Sequence, residues 1–174
     1  MIEMFLPSNC YSKRQIKSVD GAVIHFISAK NIDPEDPFNR DKIINILKDY
    51  KFSAHYLIER DGTRIKLVPG LHKAYHAGKS IMNGRESCNS FTIGIELVGG
   101  TQWDYTDAQI AELIKLLIEL TIEYDFDMNW VQGHDEVRRN WNDKYPDNKE
   151  PVKVDPGDKF PWYKVQRGVA PWTG

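Results

Sequence analysis

Two stretches, "GAVIHFISAK" (21–30) and "FTIGIELVGG" (91–100), are nearly continuous apolar runs rich in β-branched residues, and each reads as a strand. Each also holds one ionisable side chain inside its apolar run, His25 in the first and Glu96 in the second. A polar group in such a setting must find a partner or carry the cost of desolvation. The two runs therefore bear on fold and chemistry together.

The remaining segments fit around a sheet built on these strands. "FNRDKIINILKDY" (38–50) fits a short amphipathic helix after the Asn/Asp/Pro loop that follows Lys30. "SAHYLIERDGTRIKLVP" (53–69) reads as a hairpin turning at Asp61-Gly62. The clearest helix is 105–126, where Thr106 and Gln109 match a capping box. Ile110, Leu113, Ile114, Leu117, Leu120 and Thr121 follow the helical period and predict its buried face. "MNWVQGHDEV" supplies a last short strand ending at His134, while 70–90 and 135–174 read mostly as loop. Strands interrupted by two helices, with one hairpin, predict an α/β fold: a single domain over 1–174, a central mixed β-sheet flanked by helices.

Charge and cysteine content narrow the function classes. A formal net charge of −2 with no basic patch gives no support for a nucleic-acid partner. No apolar run approaches the roughly 20 residues needed to span a bilayer. The start of the chain lacks the pattern of a secretion signal, so synthesis as a soluble cytoplasmic protein is expected, acting as a monomer. Cys10 and Cys88 are too few for a disulfide framework and read as free thiols.

Chemistry is harder to read from local sequence. A catalytic zinc takes three protein ligands and leaves one position open. Among the five histidines, His25 and His134 stand out because each lies in or at the end of an apolar strand. A metal is one partner for such a ring; a backbone carbonyl or a buried water is another. Glu96 fits either a solvent-facing position or a partly dry cleft where a raised pKa suits a general base. Lys153 and Asp155, in the stiff turn "PVKVDPGDKFPW", fit either an exposed pair or an oxyanion-stabilising charge beside a metal.

Taken in order, "VIHF", "SAHYLIERDGT", "AYHAGKS", "GRESCNSFTIGIELVG", "YTDAQ", "GHDEV" and "KVDPG" resemble the zinc-dependent N-acetylmuramoyl-L-alanine amidases, a family that includes muropeptide-recycling enzymes, phage endolysins and peptidoglycan recognition proteins. The resemblance covers about residues 21–160. It implies one Zn2+ held by His25, His134 and Asp155. Glu96 would orient or deprotonate the attacking water, and Lys153 would steady the tetrahedral intermediate. Alternation in an extended segment would turn 153 and 155 to one side, so a single turn delivers both.

The implied reaction cuts the amide between N-acetylmuramic acid and L-alanine in peptidoglycan or muropeptides. Tyr75 and His76 are expected on the wall of the substrate groove, or alternatively as packing and hydrogen-bonding residues of their own loop. Ala54 replaces a tyrosine found in recognition proteins and some phage enzymes, which leaves the work to Glu96 as in the recycling type. Ser87, where that type is expected to carry arginine, and the long stretch 138–151 depart from it, so an endolysin fits comparably. A non-catalytic peptidoglycan-binding module is the alternative reading, although no zinc ligand is missing.

Overall fold

The fold, described for residues 1–15 and 18–170 of a computed structural model, runs β1 (Ile2–Glu3), β2 (Tyr11–Lys13), β3 (Gly21–Ile27), α1 (Arg40–Tyr50), β4 (Tyr56–Ile58), β5 (Arg64–Lys66), β6 (His72–Ala74), β7 (Ile81–Met82), β8 (Arg85–Glu86), β9 (Thr92–Val98), α2 (Asp107–Tyr124), β10 (Val131–Gly133), α3 (His134–Lys144) and α4 (Trp162–Val169). Residues 16, 17 and 171–174 of the predicted domain lie outside the described residues.

Six strands form a mixed sheet in the order β1-β5-β4-β9-β3-β10. Only the β4–β5 hairpin is antiparallel; the other neighbours run parallel. Helices cover both faces, which is why β3 and β9 are apolar almost throughout rather than alternating. On one face Ile24, Ile93, Ile95 and Leu97 join Leu113, Leu117 and Leu120 of α2 and Val165 and Val169 of α4. On the other, Ile43, Ile44 and Leu47 of α1 cover Leu57 and Ile65, and Val23 meets Met82, Phe91 and Val137. Each of these fully buried aliphatic side chains contributes about 1.5–3 kcal/mol.

The α2 capping box forms as predicted: Thr106 Oγ1 accepts from the Gln109 backbone N–H at 3.1 Å, and Gln109 Oε1 accepts from the Thr106 N–H at 3.2 Å. Gln109 is fully buried, and its amide also donates to the carbonyls of Val98 and Ile58 at 3.0 and 3.3 Å. The cap thus ties α2 to the ends of two strands. Its buried face departs from the predicted stripe: Leu116 is buried as well, and Ile114 is only partly buried where α4 packs alongside the helix.

Two loop expectations are corrected. Residues 70–90 contain β6, which pairs with β2, and a β7–β8 hairpin. Its turn places Asn83 and Gly84 at φ 49° and 80°, the conformation an Asn-Gly pair favours. Strands of two or three residues leave no period to read, although that Asn-Gly pair was a legible signal. The tail beyond His134 holds α3 and α4. α3 buries only His134, Val137 and Arg138, too thin an apolar stripe to announce a helix. α4 spans eight residues and buries Val165 and Val169, barely two turns of pattern.

Candidate metal centre

β3 and β9 pair in parallel register with His25 directly opposite Glu96. Both side chains project from the sheet face that also carries Val23, Thr92 and Gly94, since alternate residues of a strand share a face. β10 lies on the far side of β3 and ends at Gly133, so His134 opens α3 next to His25. Gly133 is required there. A Cβ at that position would lie 2.7 Å from Pro156 Cδ and closer still to the Asp135 carboxylate.

The turn at 152–157 closes the site from above. Two hydrogen bonds anchor it: Asp135 N–H, in the first turn of α3, donates to the Asp155 carbonyl at 2.9 Å, and Tyr105 Oη donates to the Pro156 carbonyl at 2.6 Å. Val152 and Val154 point to solvent while Lys153 and Asp155 turn inward, the alternation expected of an extended segment.

His25 Nδ1, His134 Nδ1 and Asp155 Oδ2 form a nearly equilateral triangle with sides of 3.0, 2.9 and 2.9 Å. Among the described residues they are the one such group of metal-ligating donors. Two imidazole nitrogens and a carboxylate oxygen suit zinc, and tetrahedral coordination at ~2.05 Å would space three ligand atoms about 3.3 Å apart. The triangle needs to open only slightly to accept the ion. Metal ligation also calls for a neutral imidazole, and burial, reinforced by His134, lowers His25 to a pKa of about 4. Asp155 resists the desolvation that would raise its pKa. The imidazoles of His134 and His25, each with Nδ1 2.9 Å from its Oδ2, hold it far below the usual carboxylate range, so the third donor is anionic.

Glu96 lies beside the triangle, and its Oε2 has no hydrogen-bond partner among the described residues. Burial, with Asp155 nearby, raises its pKa well above 4.5, and Lys153 works in the opposite direction. A divalent cation at the triangle would add to the effect of Lys153. Lys153 is half-buried and near enough for its charge to oppose protonation of His25.

One cleft of about 500 Å3 is lined by all seven residues singled out in the sequence: His25, Tyr75, His76, Glu96, His134, Lys153 and Asp155. Phe52, 57% exposed, and Ile46 add an apolar lip. A second hollow of about 530 Å3 lies across the 152–158 segment; it shares Arg138, Val152, Lys153 and Val154 but none of the three clustered donors.

Tyr75 lines the cleft wall, its backbone N–H held by Ser53 Oγ at 2.8 Å. His76 also borders the cleft, yet its Nδ1 meets His25 Nε2 at 3.0 Å, directly behind the triangle. Asn89 Oδ1 fixes this loop by accepting from the N–H groups of His76 and Ala77 at 3.1 and 2.8 Å. Gly94 makes room for the ring, since a Cβ there would stand 2.5 Å from His76 Cγ. Thr92, Asn89 and Gly94 escaped sequence reasoning because each reads as an ordinary loop or strand residue. The signal for Gly94 was a glycine inside a strand, which marks the close approach of another group.

Neighbouring His55 is a structural counterexample. The Gly94 N–H donates to its Nδ1 at 2.9 Å, so the proton lies on Nε2, 3.0 Å from the His72 carbonyl. Burial, with Arg14 close by, lowers its pKa to about 3 and keeps the ring neutral.

A family model described as N-acetylmuramoyl-L-alanine amidase matches residues 15–158. The 1,6-anhydro-N-acetylmuramyl-L-alanine amidase AmpD of Citrobacter freundii is 39% identical over 121 residues, 70% of this chain; the match spans 59% of that relative's length. The crystal structure of a selenomethionine AmpD derivative superposes with a TM-score of 0.77 at 31% identity, covering 97% of this chain and 93% of the other. The amidase AmiD of Escherichia coli, solved with anhydro-N-acetylmuramic acid-L-Ala-D-γ-Glu-L-Lys, gives a TM-score of 0.67 at 25% identity over 90% of this chain and 60% of that one.

Proposed function

The chain belongs to the N-acetylmuramoyl-L-alanine amidase family, and from that premise we propose that it hydrolyses the amide joining N-acetylmuramic acid to the L-alanine of a muropeptide, with one zinc ion held by His25, His134 and Asp155. The observation that carries this reading is the triangle of donor atoms with sides of 2.9–3.0 Å, with Glu96 in register beside it. Bound there, zinc would supply Lewis acidity toward the scissile carbonyl and acidify a water near neutral pH.

The chain's own groups do the rest. Glu96, held ionised by Lys153 and the bound cation, takes the proton of the attacking water on its unpaired Oε2, and its burial favours keeping that proton until it passes to the departing amine nitrogen. Lys153 faces the developing negative charge on the carbonyl oxygen and lowers its energy. Tyr75 and Phe52 receive the substrate on the walls. A peptidoglycan-binding module that did not cut would need neither the intact donor set nor an unpaired buried acid.

The preferred substrate is a soluble 1,6-anhydro-muropeptide. Support comes from the Citrobacter relative, named for that substrate, and from the anhydro-muropeptide bound to the Escherichia enzyme. The test compares initial rates on an anhydro-N-acetylmuramyl tripeptide and on intact peptidoglycan. A strong preference for the tripeptide supports the assignment. Faster release of stem peptide from intact wall overturns it in favour of an endolysin-like role.

A further inference from the structure

We propose that Thr92 and His76 form a directional hydrogen-bond relay that holds His25 in the Nε2–H tautomer, so that its Nδ1 lone pair is already aimed at the centre of the donor triangle. The inference rests on the reading of that triangle as a metal site; both residues are positioning residues.

The direction follows from one end of the relay. The Cys88 carbonyl can only accept, and Thr92 Oγ1 lies 2.7 Å from it, so the hydroxyl proton points there. Thr92 then offers lone pairs to its other neighbour, His76 Nε2, at 3.4 Å, and that nitrogen carries the ring proton. A neutral His76 is left with an acceptor at Nδ1, which takes a hydrogen bond from His25 Nε2–H at 3.0 Å. His25 Nδ1 is thereby free of hydrogen where it meets His134 Nδ1 and Asp155 Oδ2. The opposite direction would put Nδ1–H on His25, donating to Asp155. It would leave His76 Nε2 without a donor unless the Thr92 hydroxyl left its 2.7 Å partner for one at 3.4 Å.

Three features show that the relay is built rather than incidental. The His76 ring lies on β9 at Gly94, between Thr92 and Glu96, where any Cβ would collide with it. Its backbone is clamped by Asn89. His134 offers the contrast: its Nε2 is buried with no partner among the described residues, so nothing comparable presets its tautomer. Hydrogen-bonded support of this kind behind a ligating imidazole commonly changes metal affinity by about 10–100-fold.

The test combines ring-nitrogen NMR of the zinc-free protein with zinc affinity measured by chelator competition, for wild type, Thr92→Val and Thr92→Ser. The expected result is His25 as the Nε2–H tautomer in wild type and Thr92→Ser. In Thr92→Val its tautomer becomes mixed and zinc affinity falls about tenfold. Finding wild-type His25 as the Nδ1–H tautomer overturns the relay, and that measurement needs no variant to fold. A folded Thr92→Val with unchanged tautomer and affinity, or Thr92→Ser impaired as badly as Thr92→Val, overturns it too. A wild type that binds no zinc would refute the metal reading instead, while the tautomer in zinc-free protein still decides the relay.

Discussion

Glu96 stands in β9 between Ile95 and Leu97, and the burial that equips it for proton transfer also burdens the fold. The folded protein keeps this acid protonated above pH 4.5, where the unfolded chain has released the proton. Stability of the metal-free protein is therefore lost from this group as pH rises, until Glu96 ionises in the fold. His25 acts with the opposite sign. Its folded pKa of about 4 lies below the ordinary 6.5, so its contribution is present above pH 6.5 and is lost as pH falls toward 4. Glu96→Gln should then raise the melting temperature of zinc-free protein at pH 7.5, retain zinc, and lose about 10²–10⁴-fold in turnover. Calorimetry beside a rate assay checks all three. Lys153→Ala should lose about 10²-fold in turnover without weakening zinc binding, because the residue it removes is a cation near the metal.

At this scale the sequence was informative where a residue contradicted its surroundings. His25 and Glu96 interrupt apolar strands, and Lys153 and Asp155 occupy a stiff turn. It was silent on Thr92, whose role depends on a histidine sixteen positions earlier that reaches it only through the fold.

At the level of elements, legibility followed the length of the periodic pattern. α2 runs for 18 residues with a capping box, and both were readable. α3 and α4 were not, because one is polar over most of its surface and the other spans eight residues. The α2 cap can be tested directly. Thr106→Ala removes the acceptor for the Gln109 N–H and the hydroxyl that donates to the Arg60 carbonyl at 2.6 Å, and should cost about 1–2 kcal/mol in denaturant unfolding. Gln109→Leu strands the buried carbonyls of Ile58 and Val98 and should cost more, about 2–4 kcal/mol. A smaller loss for Gln109→Leu than for Thr106→Ala would mean that the helix is held by its apolar face alone.

For the whole molecule, an α/β sheet covered on both faces was legible because buried parallel strands read as continuous apolar runs. The site was legible only as scattered candidates. Its donors sit at 25, 134 and 155: parallel pairing of β3 with β10 brings His25 and His134 together near the carboxyl ends of those strands, where open α/β sheets form their crevices, and the anchored 152–157 turn adds Asp155. If zinc binds only the folded chain, zinc at 100 times its dissociation constant should stabilise it by about 2.7 kcal/mol, and a chelator should reverse this.

The decisive measurement is the mass of the products formed from anhydro-N-acetylmuramyl-L-Ala-D-γ-Glu-L-Lys, incubated with zinc, with a chelator, and with zinc restored after chelation. The assignment predicts one cut, giving anhydro-N-acetylmuramic acid and a peptide beginning at L-alanine, lost under chelation and recovered with zinc. Uncut substrate in the presence of bound zinc, or a cut that persists unchanged under chelation, would contradict it.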